Sequence, residues 1–210
     1  MESAVNKKSG KGISDGVISE LAAYFDVKPG HEEELRAAVG RFADALHRAP
    51  LEDNLKTGLR DTRHVIFDGG QRLLWCTTFE TDWDPYVDDA ILIIGADHFY
   101  DWIQHTTAFD DIVAWLESAG GAGKFDKNQA DAQDQFEDVV KNGTAGLKAI
   151  LQAAQTPAAS YFNTMSALTM TQIFKAQRLQ EAYQRVLDDP AAEEALQHPA
   201  LKPLLEQAAD

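Results

Sequence analysis

Glu20-Leu21-Ala22-Ala23-Tyr24-Phe25-Asp26-Val27-Lys28-Pro29-Gly30-His31-Glu32-Glu33-Glu34-Leu35-Arg36 changes its hydrophobic period halfway along. In the first half, Leu21, Ala23, Phe25 and Val27 alternate with Glu20, Ala22, Tyr24 and Asp26, the period of a strand with two different faces. Pro29-Gly30 stops that strand. Beyond it Leu35, Val39, Phe42, Ala43 and Leu46 recur at helical spacing, and Glu32, Glu33 and Glu34 fall in the first turn, where the helix dipole favours acids. A strand over residues 18–27 therefore leads into a helix over residues 31–47.

Downstream, residues 60–67 and 71–80 are rich in β-formers and flank Asp68-Gly69-Gly70, whose glycines supply the positive φ of a tight turn. With Gly69-Gly70 as a two-residue loop, Phe67 faces Arg72, Ile66 faces Leu73, Val65 faces Leu74 and His64 faces Trp75. That register puts Thr62, His64, Ile66, Leu73, Trp75, Thr77 and Phe79 on one face, and Arg63, Val65, Phe67, Leu74, Cys76 and Thr78 on the other. Residues 82–94 predict a short helix and residues 97–118 a longer one, with Phe99, Trp102, Phe109, Val113 and Leu116 as its apolar side. The cluster Gly120-Gly121-Ala122-Gly123 stops that helix and is the best internal boundary. Residues 130–155 read as helical, 158–165 as a strand, a helix capped by Thr169 or Thr171 runs to Asp188, and residues 190–209 form a short acidic helix.

Composition narrows the function. Lys and Arg number 19 against 34 Asp and Glu, a net charge of −15, so the surface field repels nucleic-acid phosphates and anionic membranes. No apolar stretch approaches the roughly 20 residues that span a bilayer, so no membrane insertion is expected. Cys76 is the one cysteine. An internal disulfide and a multi-cysteine zinc site are thereby excluded, and a reducing, cytoplasmic setting is expected. Residues 1–16 are basic and rich in Gly and Ser without the apolar stretch of a signal peptide, and read as a disordered tail ahead of a single domain over residues 17–210, with its core at 18–118 and an extension at 124–210.

The strand, Pro-Gly and acidic helix of residues 20–36, followed by a hairpin, resemble the opening of dimeric α+β barrel proteins, the superfamily of antibiotic-biosynthesis-monooxygenase-like proteins, haem-degrading enzymes, chlorite dismutases and dye-decolourising peroxidases. The resemblance covers residues 18–118. It implies an α+β fold, a ferredoxin-like antiparallel sheet with helices on one face, plus a C-terminal helical extension. It also implies a homodimer, or a sheet face that encloses a small apolar molecule.

Candidate chemistry centres on the histidines. His98, Asp101 and His105, at i, i+3 and i+7 on the predicted helix, fall within about 60° of one another and so converge on one ligand. Imidazoles with a carboxylate suit a transition metal, and a helix histidine suits the axial position of a haem iron; equally, the three residues edge the apolar stripe that carries Trp102. His64, among Ile66, Leu73 and Trp75, is either a perturbed acid–base group or a packed residue with one hydrogen bond. Cys76 reads as a small buried hydrophobe. Asp82, Asp84, Asp88 and Asp89 read as a solvated helix start, lacking the Gly and bidentate Glu of a calcium loop. These residues frame the expected site: His64 and His105 as catalytic groups, with Trp75, Thr77, Trp102, His98 and Asp101 contacting the ligand. The expected function is an oxidoreductase of monooxygenase-like or haem-dependent type, with a non-catalytic ligand-binding or structural homodimer as the alternative.

Overall fold

Strand β2 (Ile18–Asp26) is the axis of the fold. The computed structural model describes residues 12–110, 148 and 151–208, and the chain divides into two compact units, residues 1–167 and 168–210. In the first unit β2 pairs antiparallel with β4 (Arg72–Phe79), from Ser19 opposite Phe79 to Asp26 opposite Arg72. β4 pairs in turn with β3 (Leu59–Phe67), while β1 (Ser14–Asp15) adds a short rung to the start of β2. The sheet order is β1-β2-β4-β3.

Between β3 and β4 the register is the one the two glycines dictate: His64 faces Trp75, Val65 faces Leu74, Ile66 faces Leu73 and Phe67 faces Arg72. Gly69 at φ 68° and Gly70 at φ 101° turn the chain, and the Gln71 N–H closes the turn on the Asp68 carbonyl at 3.2 Å. Leu21, Ala23, Phe25, Leu73, Trp75, Thr77 and Phe79 then share one face, each at most 2% exposed. Among the described residues the helices cover that face alone.

α1 (Glu32–Arg48) buries Leu35, Ala38 and Phe42 and packs on α4 (Ala96–Ile103). α2 (Leu51–Lys56) begins behind Pro50, which cannot donate an amide and suits a helix start. α3 (Trp83–Ile94) reaches α4 through Gly95 at φ 102°. The layer between sheet and helices is aromatic: Phe25 meets Trp102 edge-on at 5.5 Å, Phe42 meets Phe99 at 5.2 Å, and Tyr86 stacks on Phe79 at 4.4 Å. Such contacts add to the free energy of burying these large rings.

On its outer side, β2 has no full-length partner among the described residues. Three short pieces cover it instead. The Gly12 N–H donates to the Glu20 carbonyl and the Glu20 N–H to Ile13; the Thr156 N–H donates to Ala22 and the Tyr24 N–H to Ala154; the Thr107 N–H donates to Asp26 and the Lys28 N–H to His105.

This covering explains where local patterns misled. Residues 14–15, read from sequence as tail, are pinned to Ile18 and Ser19. Of the helix expected over residues 97–118, α4 ends at Ile103, where Thr106 bridges to Val27 and its hydroxyl donates to the Ile103 carbonyl at 2.8 Å; the chain is helical again at 108–110, and residues 111–118 lie outside the described residues. Residues 158–165 form no strand; the pairing to β2 falls earlier, at Gln155 opposite Ala23. The glycine cluster at 120–123 and most of the helix expected at 130–155 lie outside the described residues, although 148 and 151–153 are helical.

In the second unit, Thr169 caps α5 (Met170–Leu187) with a reciprocal box: the Gln172 N–H donates to Thr169 Oγ1 at 3.2 Å, and the Thr169 N–H to Gln172 Oε1 at 2.8 Å. The single terminal helix expected from residue 190 is instead broken into Pro190–Ala192, α6 (Glu193–Leu196), Pro199–Leu201 and α7 (Lys202–Ala208). Pro199 forces His198 into an extended conformation and starts a new turn.

The hairpin glycines differ in their surroundings. A Cβ on Gly70 would lie 3.0 Å from Glu32 Cγ, whereas one on Gly69 would meet nothing within 4 Å. Both need positive φ. Gly70→Val is therefore expected to lower stability by about 2 kcal/mol and Gly69→Asn by about 0.5 kcal/mol, compared by urea unfolding.

Candidate functional site

His64 projects from β3 into the aromatic layer. Its imidazole lies edge-on to Phe42 of α1 at 5.2 Å and to Trp102 of α4 at 5.1 Å, and stacks with Trp75 of β4 at 6.4 Å between ring centroids. Nε2 is sealed from solvent and has no hydrogen-bond partner. Burial pushes the imidazole pKa down to about 4, so the ring is neutral at pH 7. The indole Nε1 of Trp102, a residue with no exposed surface, is likewise buried and unpartnered. Buried polar atoms are nearly always satisfied in folded proteins, and each exception costs about 1–3 kcal/mol.

The other residues of the expected ligand site divide between this cage and structural roles. Trp75 is in the cage, but its Nε1 donates to Thr62 Oγ1 at 2.9 Å. Thr77 is fully buried and occupied by Tyr86, their hydroxyls 2.5 Å apart. Burial raises the Tyr86 pKa, so this phenol stays protonated. Asp101 accepts two hydrogen bonds from Arg41, at 2.6 and 2.9 Å, and so ties α4 to α1. His98 sits on α4 with its Nε2 4.0 Å from the Asp97 carboxylate. Because α4 ends at Ile103, His98, Asp101 and His105 do not share one helix face.

His105 belongs to the turn that follows α4. Its Nδ1 lies 2.9 Å from Nδ1 of His31, the residue that precedes α1. The peptide groups of Lys28 hold both: the Lys28 N–H donates to the His105 carbonyl at 2.9 Å, and the Lys28 carbonyl accepts from the His31 N–H at 3.0 Å. Burial, then the facing His31, lower the His105 pKa, while Asp101 and Glu34 act in the opposite direction. The surroundings of this pair are polar and half-exposed, unlike those of His64. His31 escaped the sequence reading because it is 74 residues from His105 and no spacing rule joins them.

Among the described residues, His64 is ringed by Phe42, Trp75 and Trp102, and the charged or titratable side chains that act on His105 are His31, Glu34, Arg41 and Asp101. Among the described residues no three His, Cys, Asp or Glu side chains are grouped to hold a metal. Cys76 lies on the open sheet face opposite Ala22 and Arg63, its thiol pKa raised by burial with the Arg63 charge acting against the rise. A thiol held protonated is a poor nucleophile.

No family model and no curated protein matches the chain. Among solved structures it is similar to a Bordetella bronchiseptica protein named "putative antibiotic biosynthesis monooxygenase", at 22% identity and a TM-score of 0.28, covering 43% of this chain and 82% of that one.

The neutral His64 imposes a pH dependence on folding. Its pKa is about 4 folded against 6.5 in the free side chain, so the unfolded chain takes up the proton first as pH falls. Stability from this residue is present in full above pH 6.5 and declines between 6.5 and 4, by on the order of 3 kcal/mol. His64→Phe is expected to flatten that part of the profile, with the difference read from urea unfolding of both proteins at pH 7, 5.5 and 4.5.

Proposed function

We propose that this chain binds a small, apolar, aromatic molecule carrying one hydroxyl or carbonyl group, in the layer between the β3–β4 hairpin and helices α1 and α4. The observation that carries the reading is the pair of sealed, unpartnered ring nitrogens, His64 Nε2 and Trp102 Nε1, in an aromatic surround. Small-molecule sites combine apolar walls with very few polar groups. Trp102 can only donate, and a neutral imidazole either donates or accepts according to its tautomer, so together they suit a group that both accepts and donates. A phenolic hydroxyl does so. Access lies along β3, the edge strand of the sheet, where His64 is half-buried.

The reaction class we assign to this site is oxidation of the bound phenol to a quinone by dioxygen, one oxygen atom entering the ring and the other leaving as water with the two hydrogens that the substrate loses, in keeping with the monooxygenase-like character that the resemblance of residues 18–118 implies. In it His64 positions the substrate hydroxyl. A base with a pKa near 4 draws weakly on a phenolic proton, so orientation rather than ionisation is its contribution. A second, non-catalytic reading has its own support. Thr77 and Trp75 are already satisfied within the protein, by Tyr86 and Thr62. The open sheet face also exposes Val65 at 40% and Phe67 at 39%, beside Tyr24 and Leu74, an apolar surface that a second copy would cover.

The probes 1-naphthol and naphthalene differ by one hydroxyl and separate these readings when titrated against tryptophan fluorescence. Naphthol is expected to bind about tenfold more tightly, the worth of one hydrogen bond to a buried group, and the preference to vanish in His64→Phe and Trp102→Phe. Equal affinities for both probes, or no saturable binding, overturn the ligand reading. Oxygen uptake in the presence of 1-naphthol, lost in His64→Phe, distinguishes an oxidoreductase from a carrier.

The expected homodimer is tested separately by light scattering. The native chain should give twice its own mass, and Phe67→Asp on the open face should give the single-chain mass with an unchanged circular dichroism spectrum.

A further inference from the structure

We propose that His31 and His105 form a binding site for a divalent transition-metal ion that prefers square-planar or octahedral coordination, copper(II) first and nickel(II) second. The two Nδ1 atoms face each other at 2.9 Å. Metal–imidazole bonds are about 2.0–2.1 Å long, so two cis ligands at a right angle to the metal lie about 2.9 Å apart, while a tetrahedral pair lies about 3.3 Å apart. The observed separation matches the right-angled arrangement. In the protein alone, one imidazole donates a hydrogen bond to the other across this gap; a metal ion would replace that proton and bind both nitrogens.

Both ligands are positioned before any ion arrives. The peptide groups of Lys28 fix the His31 amide and the His105 carbonyl, and the His105 N–H is held by the Trp102 carbonyl at 3.2 Å. This second constraint keeps His105 at the end of α4, so little order has to be gained on binding. His31 makes no side-chain cap bond to α1, which leaves its ring committed to His105. Each helix amino terminus carries about half a positive charge, which disfavours a cation. Here the three carboxylates Glu32, Glu33 and Glu34 lie in that same first turn and outweigh it. Among the described residues no third ligating side chain joins the pair, and Asp101 is held by Arg41. Water therefore fills the remaining positions, which suits copper(II) with its strong preference for nitrogen and tetragonal geometry. The bound ion would fasten the start of α1 to the turn after α4.

Copper(II) chloride, nickel(II) chloride and zinc(II) chloride are titrated into the full chain in a glycine buffer that competes for loosely held metal. One copper per chain is expected, with an electron paramagnetic resonance signal showing two equatorial imidazole nitrogens, and with affinity falling from copper to nickel to zinc. Binding should also raise the melting temperature of the protein, because an ion that binds only the folded state stabilises it. His31→Gln and His105→Gln should each weaken copper binding by at least about 10-fold, the lower end of what losing a metal-site contact costs. His98→Gln, His64→Phe and His198→Gln should leave it unchanged. His31→Gln alone decides the matter if His105→Gln unfolds, since among the described residues the His31 side chain makes its hydrogen bond to His105 and no cap bond to α1. A copper signal that persists in His31→Gln, or one that is lost in His98→Gln or His198→Gln, overturns the proposal, as does a single-nitrogen spectrum.

Discussion

β2 is buried on both edges, and its backbone polar groups must find partners there. An amide or carbonyl sealed from water without one costs about twice what a typical hydrogen bond contributes. On the inner edge β4 meets this requirement residue by residue. On the outer edge it is met by three unrelated pieces of chain, residues 12–15, 154–156 and 105–107. The last of these decides where His105 goes. Its carbonyl is needed by Lys28, so the chain leaves the helical path at Ile103 to deliver it. The satisfaction of one strand's edge thus fixes the end of α4 and the approach of His105 to His31.

The same logic explains what was legible in the sequence. Local rules carried the strand of residues 18–26, the acidic start of α1, the register set by Gly69 and Gly70, and the Thr169 cap of α5. In each, the residues that determine the structure are neighbours in sequence. The stop at Ile103 was not legible, because the alternative offered to the backbone comes from Asp26 and Lys28, almost 80 positions away. Residues 158–165 carry Pro157 just ahead of them and gain no ladder, so β-like composition there had nothing to pair with. Of the candidate site, the hairpin face gave His64 and Trp75 together, and the apolar stripe gave Trp102. Phe42 was legible only as a core position of α1, and His31 only as its beginning.

Two histidines of one chain illustrate how surroundings set chemistry. His64 is enclosed by rings that offer no hydrogen bond, so the charged form is excluded and the neutral ring behaves as an apolar disc with one polar edge. His105 meets another imidazole within a group of opposed charges, Glu34 and Asp101 against Arg41. The first environment is apolar and excludes charge, and the second is polar and holds opposed charges. Both meet the carboxyl end of α4, with Trp102 three positions before His105, so the helix that closes the aromatic layer also sets the turn beyond it.

The patchwork on the outer edge of β2 has an evolutionary consequence. A continuous fourth strand would bind its whole length in register, and an added or deleted residue would reverse every side chain beyond it. Here each patch supplies one or two hydrogen bonds and the next patch starts afresh. Residues 105–107 and 154–156 are more than forty positions apart in sequence, and each meets β2 through its own hydrogen bonds. A slip in one patch therefore leaves the pairing of the others in place. The outer edge of the most buried strand is a place where sequence can change one patch at a time.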